Sequence, residues 1–224
     1  MTAFQPKVVV DAALKAKTPR VALGCLRAHV DASQKHDELE AALAAAEARI
    51  AQLPEPKAVL ESGAITATRA GYKALGKDPA RYRGSAEALL RRLISGKGMP
   101  RIHTVVDIIN LVSVESRLPI GLYDLANVRG DIVFRAGLPG ETYKGIGKYD
   151  LNLEHLPLFA DELGPHGSAT SDSERTMVTP ETKEILAIIV SFGGDSGLEP
   201  ALGRMAELLV KYASGSEIQT EMVR

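Results

Sequence analysis

The stretch from Arg101 to Asp124, RIHTVVDIINLVSVESRLPIGLYD, constrains this chain more than any other. Val105, Val106, Ile108, Ile109, Leu111 and Val112 form an apolar mass, with no glycine before Gly121. Asp107, Asn110 and Ser113 recur every three residues inside it, a spacing that on a helix puts them along one side. Polar groups embedded in an apolar element are costly unless hydrogen-bonded. The stretch is therefore either a core element with an internal polar network or the wall of a site.

The chain around it has 224 residues, 45% hydrophobic and 25% charged, an ordinary globular composition. No apolar run approaches the roughly 18 residues of a membrane span. Asp11 and Lys15 interrupt the N-terminal apolar stretch, which argues against a signal peptide. Cys25 is the only cysteine, so no internal disulfide and no cysteine-rich zinc site is expected, and Cys25 itself reads as a buried small apolar residue. A cytoplasmic location follows as the expectation. The net charge of −1 conceals an asymmetry. From Arg69 to Arg101 there are nine basic residues against the two acids Asp78 and Glu87. Such a segment is either a footprint for an anionic partner or the solvated outer face of two helices.

Local signals predict strands at Lys7–Val10 and Arg20–Leu26 and a helix from Ser33, as N-cap, to Leu53, stopped by Pro54 and Pro56. A second helix is expected over Lys57–Leu75, ending at Gly76, and a third from Ser85, as its cap, to Ser95. After the central stretch, Asp131–Ala136, Glu141–Gly145 and Lys183–Phe192 read as strands, EILAIIVSF being apolar on both faces and hence central in a sheet. Leu198–Ala213 reads as a last helix, followed by a polar tail from Ser214 that is expected to fray. Helices come first, then strands, then a helix, without regular alternation. That predicts an α+β fold with a mixed or mostly antiparallel sheet, built as a single domain over residues 1–224.

Several motifs fail on spacing. Gly140 to Lys148 is glycine-rich, but its lysine neither follows the second glycine directly nor precedes Ser or Thr, so a hairpin is expected rather than a phosphate loop. Gly193 to Gly197 follows a strand and precedes a helix, and reads as a turn or a phosphate cradle. His29 and His36 are too far apart for one metal set, and His155 and His166 fall in a loop region without obvious partners. Ser171 to Thr176 is a polar run ahead of the apolar strand. If extended, it turns Asp172, Glu174 and Thr176 one way and Ser173 and Arg175 the other, as an edge strand or as the lining of a cleft.

The central stretch resembles the B3/B4 tRNA-editing domain of the phenylalanyl-tRNA synthetase beta subunit, and the chain resembles free-standing relatives of that domain. The family pattern is close to R-P-I-N-x-V-V-D-x-T-N-Y-V-x-x-E-x-G-Q-P-x-H-A-F-D. Ile102, Val105, Val106, Asp107, Asn110, Val112, Glu115, Pro119 and Asp124 fall on it without a gap. The likeness runs from about Arg69 to Phe192, whereas residues 1–60 match nothing by motif. It implies an α+β fold and hydrolysis in trans of the ester joining a wrong amino acid to the 3′ end of tRNA. The tRNA acceptor end is the implied partner. No metal or cofactor is implied, since an activated ester needs mainly a positioned water and oxyanion donors. On this reading Asn110 and His103 are the catalytic candidates. Arg101, Ser113, Gly121, Asp172, Arg175 and Thr176 would bind substrate, and Arg91 and Arg92 would meet phosphates, while Asp107, Glu115, Pro119 and Asp124 frame the core. Three departures bear on specificity. The basic residue has moved to Arg101, Gly121 stands where the family has histidine, and Ile188 stands where it has a glutamate. A phenol needs a buried polar partner, so tyrosine specificity is not expected. The alternative is a non-catalytic module of the same fold that binds tRNA or an amino-acid-like ligand.

Overall fold

The computed structural model describes residues 5–31, 33, 36–147 and 149–224. Lys148, part of the glycine-rich run weighed above, lies outside them. The architecture is α+β in three layers: helices, a central antiparallel sheet, and a second, mixed sheet.

The central sheet has strand order β10-β2-β9-β3, with β2 at Ala22–His29, β3 at Ile120–Asp124, β9 at Glu184–Ser191 and β10 at Ser216–Val223, all antiparallel. The expectation of a buried central strand holds at β9. Its alternation sorts Ile185, Ala187 and Ile189 toward the helices, and Leu186, Ile188 and Val190 toward the other sheet. The second sheet has order β1-β4-β7-β8, with β1 at Val8–Val10, β4 at Ile132–Ala136, β7 at Pro157–Asp161 and β8 at Gly164–Ser168. Only β1 and β4 run parallel. A small hairpin pairs β5, Thr142–Lys144, with β6, Asp150–Asn152, as expected for the glycine-rich run.

The helical layer over β9 comprises α2, Asp37–Ala51; α4, Ser85–Ile94; α5, Thr104–Ser116; and α6, Leu198–Tyr212. The short α1, Ala12–Lys17, and α3, Gly63–Leu75, pack against each other, and their Leu14, Tyr72 and Leu75 join the inter-sheet core. Helix α5 is buried through Val105, Ile108, Leu111 and Val112, and two of its polar side chains, Asp107 and Ser113, answer local backbone. Asp107 accepts from the Ile102 amide at 2.9 Å, and the Ser113 hydroxyl donates to the Leu118 carbonyl at 2.8 Å. Burial pushes the Asp107 carboxyl above its ordinary range.

Several expected boundaries are corrected. Helix α2 begins at Asp37, because the Ser33 hydroxyl turns back to Asp31 at 2.6 Å instead of capping. The helix expected over Lys57–Leu75 is broken at Ser62, whose backbone is extended, with a 3-10 turn, Pro56–Glu61, before it. Gly76 does close α3 in the left-handed region, at φ 94°. Gly84 rather than Ser85 is the cap of α4; the Ser85 hydroxyl accepts from Ile120 and ties α4 to β3. The tail does not fray, since β10 closes an edge of the central sheet. The loop region holding His166 is strand β8, an edge where Pro165 is tolerated. Ser171–Thr176 is not a strand: it contains a 3-10 turn, Glu174–Thr176.

Candidate functional site

The candidate residues fall into two groups. The first lies along α5, from the segment that leads into it to its last turn. Arg101 donates to Glu40 at 2.7 Å and to Glu47 at 2.8 Å, both on α2, and to the Met99 carbonyl at 3.0 Å. His103 Nε2 lies 3.3 Å from the Val178 carbonyl, and its buried Nδ1 has no hydrogen-bond partner among the described residues. Asn110 is half-buried, and its amide makes no hydrogen bond to a described residue, which leaves donors and an acceptor for a ligand. Ser113 is fully buried and spent on Leu118.

The second group surrounds Gly121, at the β3 edge. Gly121 faces Ile188 across the β3–β9 ladder, so the two positions where the family pattern has histidine and glutamate are direct neighbours on the inter-sheet face. Neither carries a polar side chain. The space above Gly121 holds the phenol of Tyr123, two residues along the same strand. A Cβ at position 121 would fall inside the Tyr123 hydroxyl and 2.7 Å from its Cζ. A Cβ on Gly167 of β8 would lie 2.6 Å from the same Cζ. The ring is thus clasped between two glycines on facing strands, with the imidazole of His166 edge-on at 4.6 Å and Phe159 at 5.8 Å. The family pattern has phenylalanine where Tyr123 stands. Loss of the histidine at 121 and gain of a hydroxyl at 123 are complementary changes, because the hydroxyl fits only where there is no Cβ.

Asp172 joins this cluster. One carboxylate oxygen accepts from the Tyr123 hydroxyl at 3.1 Å and the Ser168 amide at 3.2 Å; the other accepts from the Leu122 amide at 3.3 Å. Burial first, then the Asp172 charge, drives the Tyr123 phenol well above its ordinary range, so it is a donor and not an anion. The loop before Asp172 is held on three sides. The Tyr72 hydroxyl of α3 is 2.8 Å from that of Thr170, the Ser85 amide of α4 donates to Ala169 at 2.7 Å, and the Tyr143 hydroxyl of β5 reaches Ser168 and the Ser171 carbonyl.

The remaining candidates stand apart. Arg175 forks onto Asp161 at 2.8 and 3.0 Å, and Thr176, fully buried, donates to the His166 carbonyl at 3.2 Å; both brace the β7–β8 hairpin. Arg91 donates to Glu87 at 2.7 Å and Arg92 to the Gly98 carbonyl at 2.7 Å. Glu87, 4% exposed, also receives Arg69 at 3.0 Å through two nitrogens. Burial opposes its charge, but the hydrogen bonds from Arg69 and Arg91 prevail and hold the carboxyl below its ordinary range. At the Gly193–Gly197 turn, Arg20 donates to the Gly193 carbonyl. Among the described residues no group of three or more His, Cys, Asp or Glu side chains converges as a metal set would, and no helix is long and apolar enough to cross a membrane.

Sequence reasoning did not single out Tyr123, His166, Tyr72 or Tyr143. For Tyr123 the signal was present, in the paired change at 121 and 123. His166 is hidden because Gly164, Pro165 and Gly167 erase the strand pattern around it.

The family model of the B3/4 domain matches residues 67–214. A phenylalanine–tRNA ligase beta subunit from Paramagnetospirillum magneticum is 30% identical over 128 residues, covering 56% of this chain and 16% of that protein. The subunit from Cutibacterium acnes is 38% identical over 95 residues, covering 42% and 11%. The chain thus spans a small part of these relatives. An N-terminal fragment of the phenylalanyl-tRNA synthetase beta subunit from Pyrococcus horikoshii superposes over 97% of this chain and 50% of its own, with TM-score 0.49 and 15% identity.

Proposed function

This chain belongs to the B3/4 domain family, and from that premise we propose that it hydrolyses mischarged aminoacyl-tRNA in trans, in the cytoplasm, as a free-standing domain. The observation that carries the reading is the family match over residues 67–214, which takes in the whole central stretch and the Asp172 loop. The substrate ester is activated, so the reaction needs a water delivered to the carbonyl carbon and donors for the oxyanion that forms there. The water oxygen bonds to that carbon, the ester C–O bond breaks, and the proton passes to the ribose oxygen. Asn110 supplies the amide donors, and His103, with its uncommitted Nδ1, supplies the base. Arg101, Ser113, Gly121, Asp172, Arg175 and Thr176 shape the substrate side, Asp172 through its hold on β3 and Ser113, Arg175 and Thr176 through the backbone they brace.

A second reading has its own support. Gly121 and Ile188 lack the polar side chains of the family pattern, and Tyr123, Phe159, His166 and Ile188 close the space between them, each fully buried. That favours a non-catalytic module binding tRNA or an amino-acid-like ligand. A deacylation panel separates the two. Purified protein is incubated with tRNAs mischarged with small, aliphatic and aromatic amino acids. Release faster than the uncatalysed rate for one pair, lost in Asn110→Ala, is the expected result. No acceleration with any pair, together with retained tRNA binding, selects the second reading.

A further inference from the structure

The basic run from Arg69 to Arg101 is divided by the fold into committed and uncommitted cations. Arg69 and Arg91 meet Glu87, Arg101 meets Glu40 and Glu47, and Arg92 meets a carbonyl. Lys73, Arg81, Arg83 and Lys97 are exposed and have no ion pair among the described residues, and of these Arg81 and Arg83 stand together on the loop between α3 and α4. Their loop is nonetheless fixed. Lys77 is buried and donates to the carbonyls of Asn152 at 3.2 Å and Glu154 at 2.6 Å, which seats the loop on the end of β6. Tyr82 packs under the cations, with the Lys77 ammonium 4.0 Å and the Arg81 guanidinium 5.7 Å from its ring centre. The one acid of the loop, Asp78, is exposed and accepts from the Ala80 amide at 2.9 Å.

The hairpin on which this loop sits carries the most exposed large hydrophobic side chain among the described residues. Tyr149, just before β6, is 93% exposed, and Ile146 in the same turn is 40% exposed. The strand leading into that turn is anchored. The Ile146 amide donates to the Asp172 carbonyl at 3.1 Å, and Gly145 bridges Ser173. The loop ending at Asp172, held by Tyr72, Ser85 and Tyr143, therefore has a cationic ledge on one border and an exposed aromatic side chain on the other.

Guanidinium groups without ion-pair partners suit phosphates, and an exposed aromatic ring suits an unpaired base; together they are the two contacts a single strand requires. We infer that Arg81, Arg83 and Tyr149 form a landing surface for single-stranded nucleic acid, with the backbone on the α3–α4 loop and a base stacked on Tyr149. The inference rests on the reading above only in naming the strand as the 3′ end of tRNA.

The test measures fluorescence anisotropy of the full chain with uncharged tRNA and with a short single-stranded oligoribonucleotide matching the tRNA 3′ end, across a salt series. All three side chains are exposed, and circular dichroism confirms that each variant is folded. Arg81→Glu with Arg83→Glu is expected to weaken binding at least about 10-fold and to lower the salt dependence by about 1.4, at roughly 0.7 per single-strand phosphate contact. Tyr149→Ala is expected to weaken it about 5- to 160-fold at unchanged salt slope. Parental affinity in the Arg81/Arg83 variant, or in the Tyr149 variant, overturns the landing surface while leaving the tRNA reading intact. Absence of binding of either RNA by the parent overturns both.

Discussion

Replacing Gly121 by alanine tests the clasp on Tyr123. The new Cβ would sit inside the phenol hydroxyl, 2.7 Å from Cζ and 3.2 Å from Cε2. Restoring ordinary contact requires the ring to retreat by about 1 Å. Behind it stand Gly167, whose backbone already approaches the ring, and the edges of His166 and Phe159, so retreat breaks packing and the 3.1 Å bond to Asp172. Overpacking of a tight core costs about 1–3 kcal/mol and a lost buried hydrogen bond about 1 kcal/mol, for a total of roughly 3 kcal/mol. In a chain of this size that lowers Tm by about 6–12 °C. Tyr123→Phe alone loses the hydrogen bond, while Asp172 keeps the Leu122 and Ser168 amides, so about 1 kcal/mol is expected. In the double variant the worst overlap is gone, and the total should be about 2 kcal/mol, below the sum of the singles. Urea unfolding of the four proteins, with comparable m-values, reads this directly. A Gly121→Ala loss under about 0.5 kcal/mol, or additivity within about 0.5 kcal/mol, refutes the clasp.

The other predictions concern charge and backbone. Glu87→Gln should cost about 2–3 kcal/mol near neutral pH by leaving Arg69 and Arg91 without their buried partner. Because the folded carboxyl titrates below its ordinary value, that stabilisation is present above the ordinary range and lost as pH falls through the folded value; chemical unfolding against pH should show the variant without this part of the acid limb. Burial lowers His166 from 6.5 to about 4, so stability should hold above pH 6.5 and decline toward pH 4, by on the order of 3 kcal/mol, as the unfolded imidazole gains its proton first. His166→Phe should flatten that slope, and an unchanged slope would refute the assignment. Arg117 ends α5 in the left-handed region at φ 62°, where the family pattern has glycine. Arg117→Gly should therefore raise stability by about 0.5–1 kcal/mol in urea unfolding, and a loss would show that the arginine side chain contributes more than its backbone costs.

The helical half of the central stretch was legible in part, because the three-residue recurrence of Asp107, Asn110 and Ser113 fits one side of a helix, whereas β3 after Pro119, buried at every position, was not marked out. What stayed hidden was the partner of each polar group. Ser113 was a site candidate and Asp107 a frame residue, and both answer backbone, Leu118 and Ile102, that sequence spacing does not mark. The excess of cations between Arg69 and Arg101 was real as a count. Glu40 and Glu47, which absorb Arg101, lie on a different helix, and no local tally of charge could include them. Strands β7 and β8 were missed because Pro and Gly interrupt them, and β10 because an edge strand with one wet side reads as a polar tail.

Strand β9 also sets how this chain must fold in time. Cys25 of β2 pairs with Ile188, and Gly121 of β3 pairs with the same residue from the other side, so the strand acquires its neighbours from segments synthesised far apart. Closing such long loops precedes any gain from pairing, which slows folding. Until closure EILAIIV is bare on both faces, uncharged after Glu184 and rich in β-branched residues. During that interval it is the segment most prone to pair with another copy of itself. Refolding yield should therefore fall with protein concentration, and survival of the chain in a cell depends on how briefly this one strand stays uncovered.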